Sequence, residues 1–164
     1  MTASTPAGEH PRGPGVRVPP PLVFLAGFGA ALLLERQLSF EIDGAGATPA
    51  QQAIGASLLA GGLGLSIWAM RLFFQSRTTV RPDRPSRAFV TVGPYRFTRN
   101  PMYVGLTFIY LGIAILINLA WPLVLLPVVL IAMSVAVIQR EERYLSATFG
   151  GEYDEYCRRV HRWL

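Results

Sequence analysis

Two polar clusters stand far apart in this sequence and would do chemistry only if the fold joined them. One is Gly93-Pro94-Tyr95-Arg96-Phe97-Thr98-Arg99-Asn100-Pro101-Met102-Tyr103-Val104-Gly105, and the other is Glu141-Glu142 between Arg140 and Arg143. Pro101 suits the first position of a helix, where its missing N–H costs nothing, and Asn100 is a good cap before it. A helix start offers unpaired N–H donors and a partial positive charge to an anionic or polar group, and Arg96 and Arg99 add full charges beside it. A carboxylate from the second cluster, turned inward here, could hold an amine or a sulfonium. The same residues also suit a simpler pair of roles. One is a capped membrane-helix start with interfacial Arg and Tyr anchors. The other is a surface ion-pair turn, Arg140-Glu141-Glu142-Arg143, of little energetic weight. The local sequence supports both.

The elements that must position these residues are apolar blocks. Of 164 residues, 51% are hydrophobic and 15% charged, with a mean hydropathy of +0.36, against about 25% charged in an ordinary soluble domain. The blocks predict an all-α integral membrane protein with about four spans, near residues 19–34, 53–74, 101–117 and 119–138. Residues 1–17 read as a disordered tail and 18–164 as one domain. No charged residue lies between Arg99 and Arg140. Pro122 and Pro127 would be costly in a soluble helix and are tolerated in a membrane one.

All 15 basic residues are arginines, giving a net charge of +5. Fourteen of them fall on the side of the membrane that four spans assign to both termini, and Arg36 alone on the other, so both termini are expected in the cytoplasm. Because these arginines flank apolar blocks, anionic lipid headgroups are the expected partner rather than nucleic acid. Cys157 is the sole cysteine and His10 and His161 are scattered, so no metal site is expected.

The third and fourth blocks, broken at Asn118, read as an antiparallel hairpin with almost no loop. Residue 101 is then level with residues 137–141, bringing Arg99, Asn100 and Tyr103 beside Glu141 and Glu142. Adjacent helical residues point about 100° apart, so one carboxylate is expected to turn inward and the other to pair with Arg140, Arg143 or the lipid interface. The tail, Gln139 to Leu164, reads as an amphipathic helix with Tyr153 and Tyr156 on its packing face. Gly61-Gly62-Leu63-Gly64 fits helix packing better than a ligand contact.

Gly93-Pro94-Tyr95, then Arg99 to Gly105, an apolar hairpin, Glu141-Glu142, and Phe149-Gly150 with Tyr153 and Tyr156 resemble the isoprenylcysteine carboxyl methyltransferase family. That family belongs to a wider group of integral membrane methyltransferases that includes phospholipid N-methyltransferases, and the resemblance covers about residues 55–162. It implies S-adenosylmethionine-dependent methyl transfer to a lipophilic acceptor at the cytoplasmic face of the bilayer and, for a chain of this length, a bacterial inner membrane. It implies cofactor contacts from Arg87, Ala88, Phe89 and Val90, from Tyr95, and from Asn100, Pro101, Met102 and Tyr103. It makes Glu141 the inward carboxylate and partner of the cofactor's amino group, with Glu142 beside it; Arg99 and Arg140 are this chain's own candidates to face the acceptor where the family uses another arginine. Two positions depart from the family. Its Arg-His-Pro histidine is Asn100 here, and the substrate-side Arg of eukaryotic members, one turn before the first Glu, is Val137. The competing readings are a phospholipid, thiol or amine acceptor within the same group, an NADPH-dependent reductase of the sterol-reductase type, and a non-enzymatic membrane subunit.

Overall fold

Each regular element among the described residues is helical, and most of their ends have a local chemical cause. The computed structural model describes residues 18–44, 46–78 and 89–164, with side chains as far as Gln75 in the second stretch. The tail 1–17 and two of the expected cofactor contacts, Arg87 and Ala88, lie outside the described residues.

Helix α1 (Pro20–Gln37) opens on two prolines and ends where Leu38 turns extended. There the Glu35 carboxylate accepts the Ser39 hydroxyl and the Phe40 amide. Helix α2 (Pro49–Thr78) starts after Thr48, whose hydroxyl accepts the Gln51 amide at 3.2 Å as a cap. A 3₁₀ turn (Gly93–Arg96) leads into α3 (Pro101–Leu116). Asn118, at φ +59°, makes the sharp break expected of it. Its side chain ties the turn down, donating to Asp43 O and accepting from Gln51 Nε2 and the Asp43 amide. A single antiparallel bridge between Glu41 and Leu119 and a bond from Trp121 Nε1 to Leu38 O close this end of the molecule.

The fourth block is longer than the sequence suggests. Helix α4 (Trp121–Met133) passes through a π-helical stretch, Ser134–Ile138, into α5 (Gln139–Phe149) without a break. The charged residues Arg140 to Arg143 thus extend the apolar helix rather than begin a separate tail. Gly150, at φ +53°, ends it, and α6 (Gly151–Arg159) follows. Two helices, Pro49–Gln75 with 27 residues and Trp121–Phe149 with 29, are long and apolar enough to cross a membrane; α3 is apolar but shorter, at 16 residues.

Helices α3 and α4 form the expected antiparallel hairpin, turning at Asn118 and sharing side-chain contacts, but the closest packing is of α3 on α2 and of α4 on α1. Four glycines explain the first pairing. A Cβ on Gly62 would sit 2.6 Å from Gly105 O, and one on Gly105 would sit 2.8 Å from Gly62 O. One on Gly112 would sit 2.8 Å from Gly55 O, and one on Gly55 would sit 3.1 Å from Gly112 O. Gly55 and Gly62 lie two turns apart on one helix, Gly105 and Gly112 two turns apart on the other, so the backbones touch along one antiparallel seam. Gly61 and Gly64 meet nothing within 4 Å; of that glycine string only Gly62 packs. Between α1, α3 and the long fourth helix lies a core of Phe24, Tyr103, Tyr110, Val129, Met133, Val137 and Ile138.

Gly105→Leu should therefore destabilise the detergent-held protein by at least about 1–3 kcal/mol, the usual range for overpacking, whereas Gly64→Leu should be close to neutral. Equal thermal shifts for the two variants would contradict the seam.

Candidate functional site at the start of α3

The turn before α3 is held from below by aromatic packing. Gly93, at φ +62°, turns the chain where a Cβ would lie 2.5 Å from Leu72 Cδ1. Pro94 and Tyr95 are buried behind it. The Tyr95 hydroxyl donates to Ala69 O at 3.4 Å, and Tyr95 O accepts the Tyr156 hydroxyl at 2.7 Å. Burial pushes Tyr95 up to about 12, with help from the Glu141 charge, and pushes Tyr156 up to about 12 as well, so both stay neutral donors near neutral pH. Phe89 stacks edge-on within an aromatic cluster, 5.1 Å from Phe149 and 5.4 Å from Tyr153. As the sequence suggests, Tyr153 and Tyr156 form the buried face of α6.

The C-terminal residues close over the turn from above. Arg99 N donates to His161 O at 2.9 Å, and Thr98 Oγ1 donates to Arg162 O at 3.2 Å while accepting the Asn100 amide. Asn100 corrects the expectation of a side-chain cap. It stands at the cap position, but its amide donates to Arg162 O at 2.9 Å instead, and only its carbonyl serves the helix, accepting Tyr103 N and Val104 N. Thr98, 2% exposed, is a polar residue at the centre of this turn that sequence reasoning passed over.

The two carboxylates are then divided. Glu141 accepts the Tyr103 hydroxyl at 2.8 and 3.0 Å from its two oxygens. Glu142 takes a fork from Arg162, Nε at 3.0 Å and NH2 at 2.5 Å, and a third contact from Arg99 NH1 at 3.2 Å. The structure thus brings Arg99 and Tyr103, with Asn100 between them, beside Glu141 and Glu142, as the spacing predicts, and Tyr95 and Pro101 lie in the same turn. For the outward carboxylate it adds a partner the sequence did not single out: Glu142 meets Arg162 as well as Arg99. Arg140 is exposed, Val90 is half-buried, and Met102 packs against the core. Val137 is fully buried in the core, which gives an apolar residue there a packing role.

A cavity of about 410 Å³ opens on the Glu142 side, lined by Arg99, Glu142, Arg143, Tyr153 and Cys157 among others. Arg99 NH1 also donates to Cys157 Sγ at 2.6 Å, so this thiol borders the site. Arg162 carried no sequence signal beyond being one arginine among many; only the folding back of the chain end could show it.

Glu142→Gln keeps the side chain's size and removes the charge shared by Arg99 and Arg162. It should cost about 1.5–3 kcal/mol, the range for hydrogen bonds to charged groups, read as a fall in unfolding midpoint. Glu155→Gln breaks only the exposed pairs with Arg158 and Arg159 and should leave the midpoint unchanged. Equal midpoints would mean the Glu142 clamp adds nothing.

Comparison with known proteins supplies the family. No curated protein and no solved structure matches the chain. Residues 50–152, from the start of α2 to the start of α6, match the family model described as phospholipid methyltransferase. That stretch is more than half of the chain and includes the glycine seam, the α3 start and both glutamates, and the chain belongs to the phospholipid methyltransferase family, within the group of membrane methyltransferases to which the isoprenylcysteine carboxyl methyltransferases belong.

Proposed function

We propose that this protein transfers a methyl group from S-adenosylmethionine to a lipophilic acceptor at the cytoplasmic face of a bacterial inner membrane. The carrying observation is the unequal treatment of the glutamate pair. Glu142 is matched by two guanidiniums, whereas Glu141, half-buried, receives only a neutral phenol among the described residues. Burial pushes the Glu141 carboxyl up, so its charge lacks the cation that would favour it, and with spare acceptor capacity it fits an incoming ammonium group. Carboxylates at a membrane edge are costly enough that such an arrangement marks a functional site by default. The π-helical stretch just before it has the same bearing, since π turns concentrate at functional sites.

In this reading Glu141 binds the cofactor's amino group, and Tyr103 fixes the direction of that carboxylate. Asn100, Pro101, Met102, Tyr95, Phe89 and Val90 belong to the same cofactor site in this reading, with Glu142 as the braced second carboxylate; Arg87 and Ala88, which the resemblance adds, lie outside the described residues. S-adenosylmethionine, when bound, supplies a methyl group already activated on a sulfonium. The chain's own task is to align the acceptor and keep water out, which can account for most of the rate. Arg140, exposed on the long fourth helix, meets the acceptor's polar head, and Arg99 keeps the site's shape through Glu142.

The scaffold reading completes this. Residues 18–164 form one domain in which α1, α2, α3 and α4 each cross the bilayer, both termini are cytoplasmic, and residues 1–17 are a tail. The arginine asymmetry and the family's membrane character support it. Membership of a methyltransferase family also favours methyl transfer over the reductase and subunit readings.

Calorimetry on nanodisc-held protein tests the proposal. Saturable S-adenosylmethionine binding is expected for the wild type, weakened at least about tenfold, or 1.4 kcal/mol, in Glu141→Ala. Folded wild-type protein that binds none would sink it.

A further inference from the structure

The residue that joins the most parts of this site lies outside the matched family region. Arg162 is followed by two residues, Trp163 and Leu164, and lies in a strap running from Val160 to Leu164. The strap is anchored on both sides of it. Val160 is buried with Tyr153 and Tyr156, and Trp163 packs against the core that holds Tyr103 and Val137. Between these anchors Arg162 works with two different groups. Its carbonyl receives Asn100 Nδ2 and Thr98 Oγ1, and so holds the turn before α3. Its guanidinium grips both oxygens of Glu142 on α5.

We propose that Arg162 is a positioning residue: by forking onto Glu142 it sets the rotation of α5 that presents Glu141 to Tyr103 and to the cofactor's amino group. The inference rests on the reading of Glu141 as that partner. Successive helical residues point about 100° apart, so a Glu142 fixed toward the strap leaves Glu141 one direction, toward the start of α3. The π-helical stretch immediately before α5 makes such fixing necessary, because a π turn is a less regular support than an α turn. The bidentate grip also supplies the larger share of the cationic contacts to Glu142, with Arg99 giving one more. Weakened to the Arg99 contact alone, Glu142 would be a rival to Glu141 for the ligand's ammonium.

Because the strap is anchored by Val160 and Trp163, changing the Arg162 side chain leaves its carbonyl in place. Lysine at this position keeps the charge and loses the planar fork. The test uses the full chain in nanodiscs, with S-adenosylmethionine as the calorimetric probe and hydrogen exchange of the Arg99 amide as the monitor of strap docking, since that amide donates to His161 O. R162Q and R162K should each weaken binding about tenfold while the Arg99 amide keeps its protection. R162Q/E142Q should bind no more weakly than R162Q alone, because the two residues act as one unit. The exposed control E155Q should bind as the wild type does.

Wild-type affinity in R162Q or R162K would overturn the inference alone. So would a double variant whose losses multiply, or loss of Arg99 protection matched by unchanged affinity in the folded fraction. A wild type that binds nothing would remove the reading of Glu141 and this inference with it.

Discussion

Two adjacent carboxylates at the end of a long apolar helix cannot share one solution. Helical geometry separates them by about 100°, and charge at a bilayer edge must be matched or used. Here Glu142 is matched by Arg99 and Arg162 at 2.5 to 3.2 Å, and Glu141 is given the Tyr103 phenol. Much of the remaining architecture follows from that division. The chain end has to fold back to bring Arg162 into reach, α6 has to bury Tyr153 and Tyr156 so that the end can return, and α3 has to start level with the end of the fourth helix so that Tyr103 meets Glu141. Each requirement is local, yet they meet within a few residues of Asn100.

That meeting needs α3 held at a fixed height and rotation, and apolar side chains alone specify neither within a membrane, where lipid tails are as apolar as leucine. The glycine seam supplies what they lack. With Gly62 against Gly105 and Gly55 against Gly112, carbonyl groups and backbone amides come within contact distance, and a slip by one residue would drive side chains into backbone. At the other end, Asn118, Gln51 and Asp43 lock the turn into α4. Helix α3 is thus pinned at both ends and along one face. Only its first turn presents polar groups to the site.

What could be read from the sequence is what depends on composition and distance along the chain. Long apolar blocks, the break at Asn118, the proline that opens α3 and the level meeting of Tyr103 with Glu141 all follow from rise per residue and hydropathy. The partners of Glu142 did not, because Arg99, Arg140, Arg143 and Arg162 are the same residue type and only three-dimensional reach chooses among them. Asn100 was read as a side-chain cap on local propensity, and the carbonyl of Arg162 outbid the helix for its amide. The π-helical stretch leaves no composition signal, since Ser134 to Ile138 would suit an α-helix equally well. Nothing local in the sequence sets Gly105 and Gly112 apart from other membrane-helix glycines, because their role depends on partners on α2. The connector residues Arg87 and Ala88 lie outside the described residues, so the wall they would add to the site is read from the family resemblance alone.

The most direct test of the central claim asks whether Glu141 recognises an amino group and nothing else. Affinities of S-adenosylmethionine and of its analogue lacking the α-amino group would be compared in the wild type and in Glu141→Gln. The account predicts that the wild type prefers the complete ligand by about tenfold or more and that this preference collapses in the variant, the mark of a direct pairing. An equal preference in both proteins would place the amino group elsewhere and contradict the role given to Glu141.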